Sequence, residues 1–127
     1  MSAPWTGTNA PAASSLATLS ILSVGSGQVI RLRNYAVSVS GVTASPSTFQ
    51  ISDGSTVLYA LDVAPPAAGG VTTIIAPCAL LDYRTSSASN SMVIGFASGV
   101  SGITQKVNAE GDFVQIGVPA FASPQQA

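Results

Sequence analysis

The sequence has no histidine and one cysteine, Cys78. It is also short of charge. Lys and Arg total 4 and Asp and Glu total 5, so charged residues are 7% of the chain, against about 25% in an ordinary domain. Each shortage excludes something. Without His, the commonest general base and the commonest metal ligand are missing. One cysteine cannot form an intramolecular disulfide framework or a multi-cysteine zinc or iron–sulfur site. Four basic side chains cannot neutralise a phosphate backbone, so no nucleic-acid partner is expected. The uncharged stretches Met1–Ile30 and Thr85–Gln105 are interrupted by Ser, Thr, Asn and Gly. Neither contains the roughly 18 consecutive apolar residues of a membrane helix, so no membrane partner is expected. Met1–Trp5 carries neither the basic nor the apolar region of a secretory signal.

What is present is apolar and small. Hydrophobic residues make up 46% of 127 positions, enough for one domain with its own core. Ser, Thr, Gly, Ala and Pro stand where charge is usual. The net charge of -1 predicts a near-neutral surface, with little repulsion against close packing beside other proteins.

No window holds a helical period built from helix formers, while Val, Ile, Thr and Ser recur with Gly or Pro punctuation. That rhythm predicts an all-β fold. Nine candidate strands follow: Leu16–Val24, Gln28–Ser40, Thr48–Ser52, Val57–Val63, Thr72–Ile75, Ala79–Thr85, Met92–Ala97, Ile103–Asn108 and Phe113–Val118. Residues 1–15 read as an extended N-terminal arm, residues 16–118 as the sandwich domain and residues 119–127 as a C-terminal tail. Trp5 gives the arm two alternatives, free disorder or docking on its own domain or a neighbour.

Two segments carry more detail. Asp53-Gly54-Ser55 between two apolar runs signals a hairpin, because Gly accepts positive φ. In Gln28–Ser40, Ile30 and Leu32 share one face, yet beyond Asn34 the apolar set becomes Tyr35, Val37 and Val39. A strand inverts its faces only at a bulge or in passing between sheets. Eight or nine strands with such a corner predict a jelly-roll-like antiparallel β-sandwich. The Cys…Trp…Cys spacing of an immunoglobulin domain is absent.

Catalytic equipment is sparse. Ser101 and Lys106 lie close in sequence but lack the frame of a dyad, and Cys78 has no basic neighbour to activate it. The acidic residues Asp53, Asp62, Asp82, Glu110 and Asp112 do not alternate as calcium ligands do, and Glu110-Gly111-Asp112 reads as a polar turn. Ala68-Gly69-Gly70 lacks the Lys and helix of a phosphate loop and reads as a turn too. No catalytic residue, metal site or cofactor is expected. Trp5, Tyr35, Tyr59 and Tyr83 are the rings a glycan site could use. Arg31, Arg33 and Arg84 lie at strand faces, either as charges that deter edge aggregation or as partners across subunits for Asp62, Asp82 or Asp112.

Several segments together resemble a family. They are Ile30-Arg31-Leu32-Arg33-Asn34-Tyr35, Phe49-Gln50-Ile51-Ser52-Asp53-Gly54-Ser55, Ala67-Ala68-Gly69-Gly70, Pro77-Cys78 and Asn90-Ser91-Met92-Val93-Ile94. Over roughly Gln28–Ile116 the chain is similar to the small β-sandwich head decoration, or cement, proteins of tailed bacteriophages. The resemblance implies a trimer on the outside of a capsid, bound to the major capsid protein and reaching neighbours through its arms. It departs from the family's last strand at Gly111-Asp112-Phe113-Val114-Gln115-Ile116. Trp5, Arg31, Arg33 and Tyr35 are the expected subunit or capsid contacts. The alternative is a head-fibre or tail-tip module that binds a host surface glycan.

Overall fold

The computed structural model describes residues 3–24, 27–77 and 83–115. The fold is all-β, with eight strands among the described residues. These are β1 (Ala3–Asn9), β2 (Thr18–Ile21), β3 (Gln28–Gly41), β4 (Ser47–Asp53), β5 (Thr56–Val63), β6 (Gly70–Pro77), β7 (Met92–Phe96) and β8 (Thr104–Gln115). They form two four-stranded antiparallel sheets, in the orders β1-β8-β3-β6 and β2-β7-β4-β5. The pairs β1–β8, β2–β7, β3–β6 and β4–β5 are successive stretches of one long antiparallel ribbon. Folding that ribbon over, with β3 also joining β8 and β4 joining β7, gives the jelly-roll sandwich.

Alternation builds each layer. In β4 every second residue is buried, with Phe49 and Ile51 fully enclosed. Tyr35 of the first sheet stacks on Phe49 of the second at 4.9 Å, and Phe49 meets Phe96 edge-on at 5.8 Å. Such ring pairs add about 0.5–1.5 kcal/mol beyond their buried area. The polar side chain of Gln105 is enclosed with them. The Gln105 amide oxygen accepts the Ala17 N–H at 3.0 Å, and its nitrogen donates to Ser47 Oγ at 3.1 Å and to the Ser98 carbonyl at 2.9 Å. A buried amide satisfied on both ends can fix the loops it joins instead of weakening the core.

The parity change in β3 is a bulge. The register against β8 shifts between Leu32 and Asn34, leaving Arg33 as the extra residue. Ile30 and Leu32 on one side of the shift, and Tyr35, Val37 and Val39 on the other, all reach the core. The Asp-Gly hairpin is also present: Asp53 pairs with Thr56 across Gly54, whose φ is 60°.

Of the two alternatives for the extended N-terminal arm, docking on its own domain is the one found: residues 3–9 form β1, a strand on β8. Two expectations need correction. Glu110-Gly111-Asp112 is not a turn but the middle of β8, which runs unbroken across the gap expected between Asn108 and Phe113. The reason is Trp5. It lies opposite Gly111, and a Cβ there would come within 2.5 Å of Trp5 Cζ2 and 1.9 Å of the Arg31 carbonyl oxygen. Finally, the first expected strand, Leu16–Val24, shortens to β2. Cys78, Asp82, most of the expected strand Ala79–Thr85 and the tail 119–127 lie outside the described residues.

Candidate functional site

The outward side of the first sheet carries most of the charge. Arg31 of β3 pairs in register with Asp112 of β8. Its Nη2 donates to Asp112 Oδ2 at 3.2 Å, and Arg33 Nη1 donates to Oδ1 at 3.4 Å. Arg31 and Arg33 are two residues apart, so the pleat puts them on one face, and the bulge leaves Arg33 without a ladder partner beside the same carboxylate. Arg84 adjoins through an isolated bridge to Arg31. This short run is anchored beside β3, where the Leu32 N–H donates to the Tyr83 carbonyl and the Thr85 N–H to the Ile30 carbonyl. Three of the chain's four basic residues therefore meet at one end of the sheet, and the fourth, Lys106, stands farther along β8 opposite Ser38.

Beyond this cluster the surface is shallow and mixes polar with apolar side chains. Asn34 donates its amide to the Glu110 carboxylate, and Thr8 Oγ1 donates to Asn108 Oδ1 at 2.9 Å. Between these pairs lies a shallow depression of about 300 Å³ whose lining includes Gly7, Ala36 and Ile75. It carries a carboxylate, amides, hydroxyls and apolar groups. That set suits contact with another surface and offers no paired nucleophile and base.

The expected contact residues separate into two groups. Arg31 and Arg33 are on the surface, Arg33 more than half exposed and Arg31 largely covered beside Asp112. Trp5 and Tyr35 belong to the core. Neither presents its ring outward, because the strand faces they occupy are those opposite Gly111 and Ala109, which line the interior. The Trp5 Nε1–H has no hydrogen-bond partner among the described residues, so the ring is held by packing. Of the acids considered as cross-subunit partners, Asp112 is engaged within its own chain, and Asp62 accepts Thr48 Oγ1 at 2.8 Å.

The remaining candidates serve the fold. Asp53 accepts the Ser86 N–H at 2.9 Å and Asn90 Nδ2 at 2.8 Å, fastening the loop before β7 to the β4–β5 hairpin. Among the described residues no group of three acidic, His or Cys side chains could hold a metal ion. Tyr59 and Tyr83 pack on one another at 5.9 Å, both half-buried.

The residues that sequence reasoning missed are apolar. Val57 and Leu58 on β5 and Val71 and Ile75 on β6 are exposed, by 76% in the case of Ile75. Every exposed large hydrophobic side chain that lies on a strand, among the described residues, is on these two strands. The available signal was the absence of any charge in Gly70–Pro77, but Val-rich strands read as core. No protein-family model matches the chain, and no curated protein matches it in sequence.

Proposed function

We propose that this protein is a structural component of a bacteriophage virion that decorates or cements the outside of the capsid, as a trimer bound to the major capsid protein. The observation that carries the reading is the broad outer face of the first sheet. It is built from Thr6, Thr8, Ala36, Ser38 and Asn108, with Val71 and Ile75 at its β6 margin and three of the four basic residues gathered at one end. Such a face can lie against another protein at little desolvation cost, while the Arg31–Arg33–Arg84 end fixes orientation. The resemblance of the β3, hairpin and Gly-Gly segments to head decoration proteins supports the same reading.

The mechanism is mass action. A protein that binds only the assembled shell stabilises that shell by an amount that grows with the logarithm of its free concentration relative to Kd. Copies joined to one another engage several lattice positions at once, which raises avidity beyond any single contact. The glycan alternative calls for exposed rings. Trp5 and Tyr35 are turned inward, and Tyr59 and Tyr83 cover each other, so no specific observation favours it.

The test compares particles with and without the protein under heat or mechanical stress. Decorated particles are expected to survive conditions that open bare ones. Equal resistance would overturn the cement mechanism.

A further inference from the structure

We infer that the β5–β6 side of the sandwich is where copies of this chain join, with its apolar residues at the symmetry axis of the oligomer. The inference deepens the trimer reading above, on which only its stoichiometry rests.

The two sheets run in step, so β6 at the end of one lies over β5 at the end of the other. The chain links them directly, and Thr72 Oγ1 bonds back to the Ala64 carbonyl at 2.7 Å. Val71 and Ile75 project from one face of β6, exposed by 61% and 76%. Val57 and Leu58 of β5 are 48% and 38% exposed. Because β6 reverses the direction of β5, the start of β5 and the end of β6 fall toward the same end of the molecule. Val71 and Ile75 oppose Ser40 and Ala36 and so stand on the outer face of the first sheet at its β6 margin, while Val57 opposes Ser52 on the second sheet. As a sheet edge among the described residues, β6 also presents a row of backbone groups on its outer side.

Edge strands of single proteins are normally blunted by charge, by shortness or by proline within the strand. β6 is eight residues long and uncharged, with proline only at its last position. That composition also identifies the occupant. A residue on a symmetry axis meets its own copies, so a charge there would meet its like. Uncharged, β-branched Val71 and Ile75 with Thr73 between them meet their own copies without repulsion and bury apolar area. A partner of different sequence would have left room for a complementary charge, and β6 offers none.

The test is the solution mass of the purified chain, measured by light scattering over a dilution series. Alongside it runs the double variant Val71→Lys with Ile75→Lys, and Thr6→Lys on β1 as control. The wild type and the control are expected at about three times 12.6 kDa. The double variant is expected to self-associate on the order of a hundredfold more weakly and to run as a single chain, with an unchanged circular dichroism spectrum. Should it misfold, Val71→Thr with Ile75→Thr, which keeps β-branched residues, is expected to shift the same equilibrium by a smaller factor. A wild type that stays a single chain at its highest soluble concentration overturns the inference, and so does a folded double variant that keeps the wild-type mass. A mass of two chains would keep the interface and overturn the trimer. Association through this side by a protein that leaves particles unbound would keep the inference and overturn the capsid reading.

Discussion

The two narrow sides of the sandwich are closed in different ways. On the β1–β2 side the chain closes itself. Asn9 Nδ2 of β1 donates to the Thr18 carbonyl of β2 at 2.8 Å, and a Cβ at Gly7 would come within 3.2 Å of the Leu19 side chain. The edge there is guarded as well: β1 carries Pro4 and exposed threonines, and β2 has only four residues. On the β5–β6 side, by contrast, the exposed strand residues are Val57, Leu58, Val71 and Ile75. Both sides come from one composition poor in charge. The difference teaches that a neutral surface is not uniform. One edge is lined by small and polar residues, and the other carries exposed Val and Ile, the side proposed above for a second chain.

The largest break in the comparison comes from the closed side. Trp5→Ala removes the ring that covers Gly111, and loss of a buried aromatic costs about 3–5 kcal/mol. Urea denaturation followed by circular dichroism should show that loss, and a change under about 1 kcal/mol would mean β1 is not part of the cooperative unit. Next is Asn9→Ala, which removes the link from β1 to β2. One such hydrogen bond contributes about 1 kcal/mol, so a modest fall in the denaturation midpoint is expected. Arg33→Ala should cost less than about 1 kcal/mol, because its own side chain is half-exposed and Asp112 keeps its bond to Arg31. Its effect belongs instead in the salt dependence of particle binding, and binding to bare particles with the wild-type salt dependence would remove Arg33 from the capsid contact. Smallest on stability is the double lysine variant of β6, where exposed substitutions stay within about 0.5 kcal/mol when measured on the dissociated chain. A large loss there would place Val71 and Ile75 in the core instead of at an open edge.

Much of the fold could be read from particular residues. Asp53-Gly54 announced the β4–β5 hairpin, and the change of parity after Leu32 announced the bulge at Arg33. Both are local signals, set by what a backbone or a pleat permits. β1 was illegible because its strand character is borrowed. Pro4, Thr6 and Thr8 have no apolar alternation, and the segment becomes a strand by pairing along β8 under Trp5. The same contact hid the continuity of β8, since Gly111 is present to admit the indole and not to turn the chain. The surface was legible only in part. Arg31 and Arg33 were correctly placed outside, but pairing with Asp112 inside the subunit depends on a register no local pattern encodes. Val71 and Ile75 have the composition of a buried strand, but their pairing across from Ser40 and Ala36 turns them to the outer face of the first sheet.

Hydrogen–deuterium exchange across dilution tests the contrast between the two sides most directly. As the oligomer dissociates, amides of Gly70–Pro77 are expected to exchange faster, while those of Ala3–Asn9 keep their rate. Equal acceleration of both strands, or of neither, would contradict the claim that one side of this sandwich is completed by its own chain and the other by its copies.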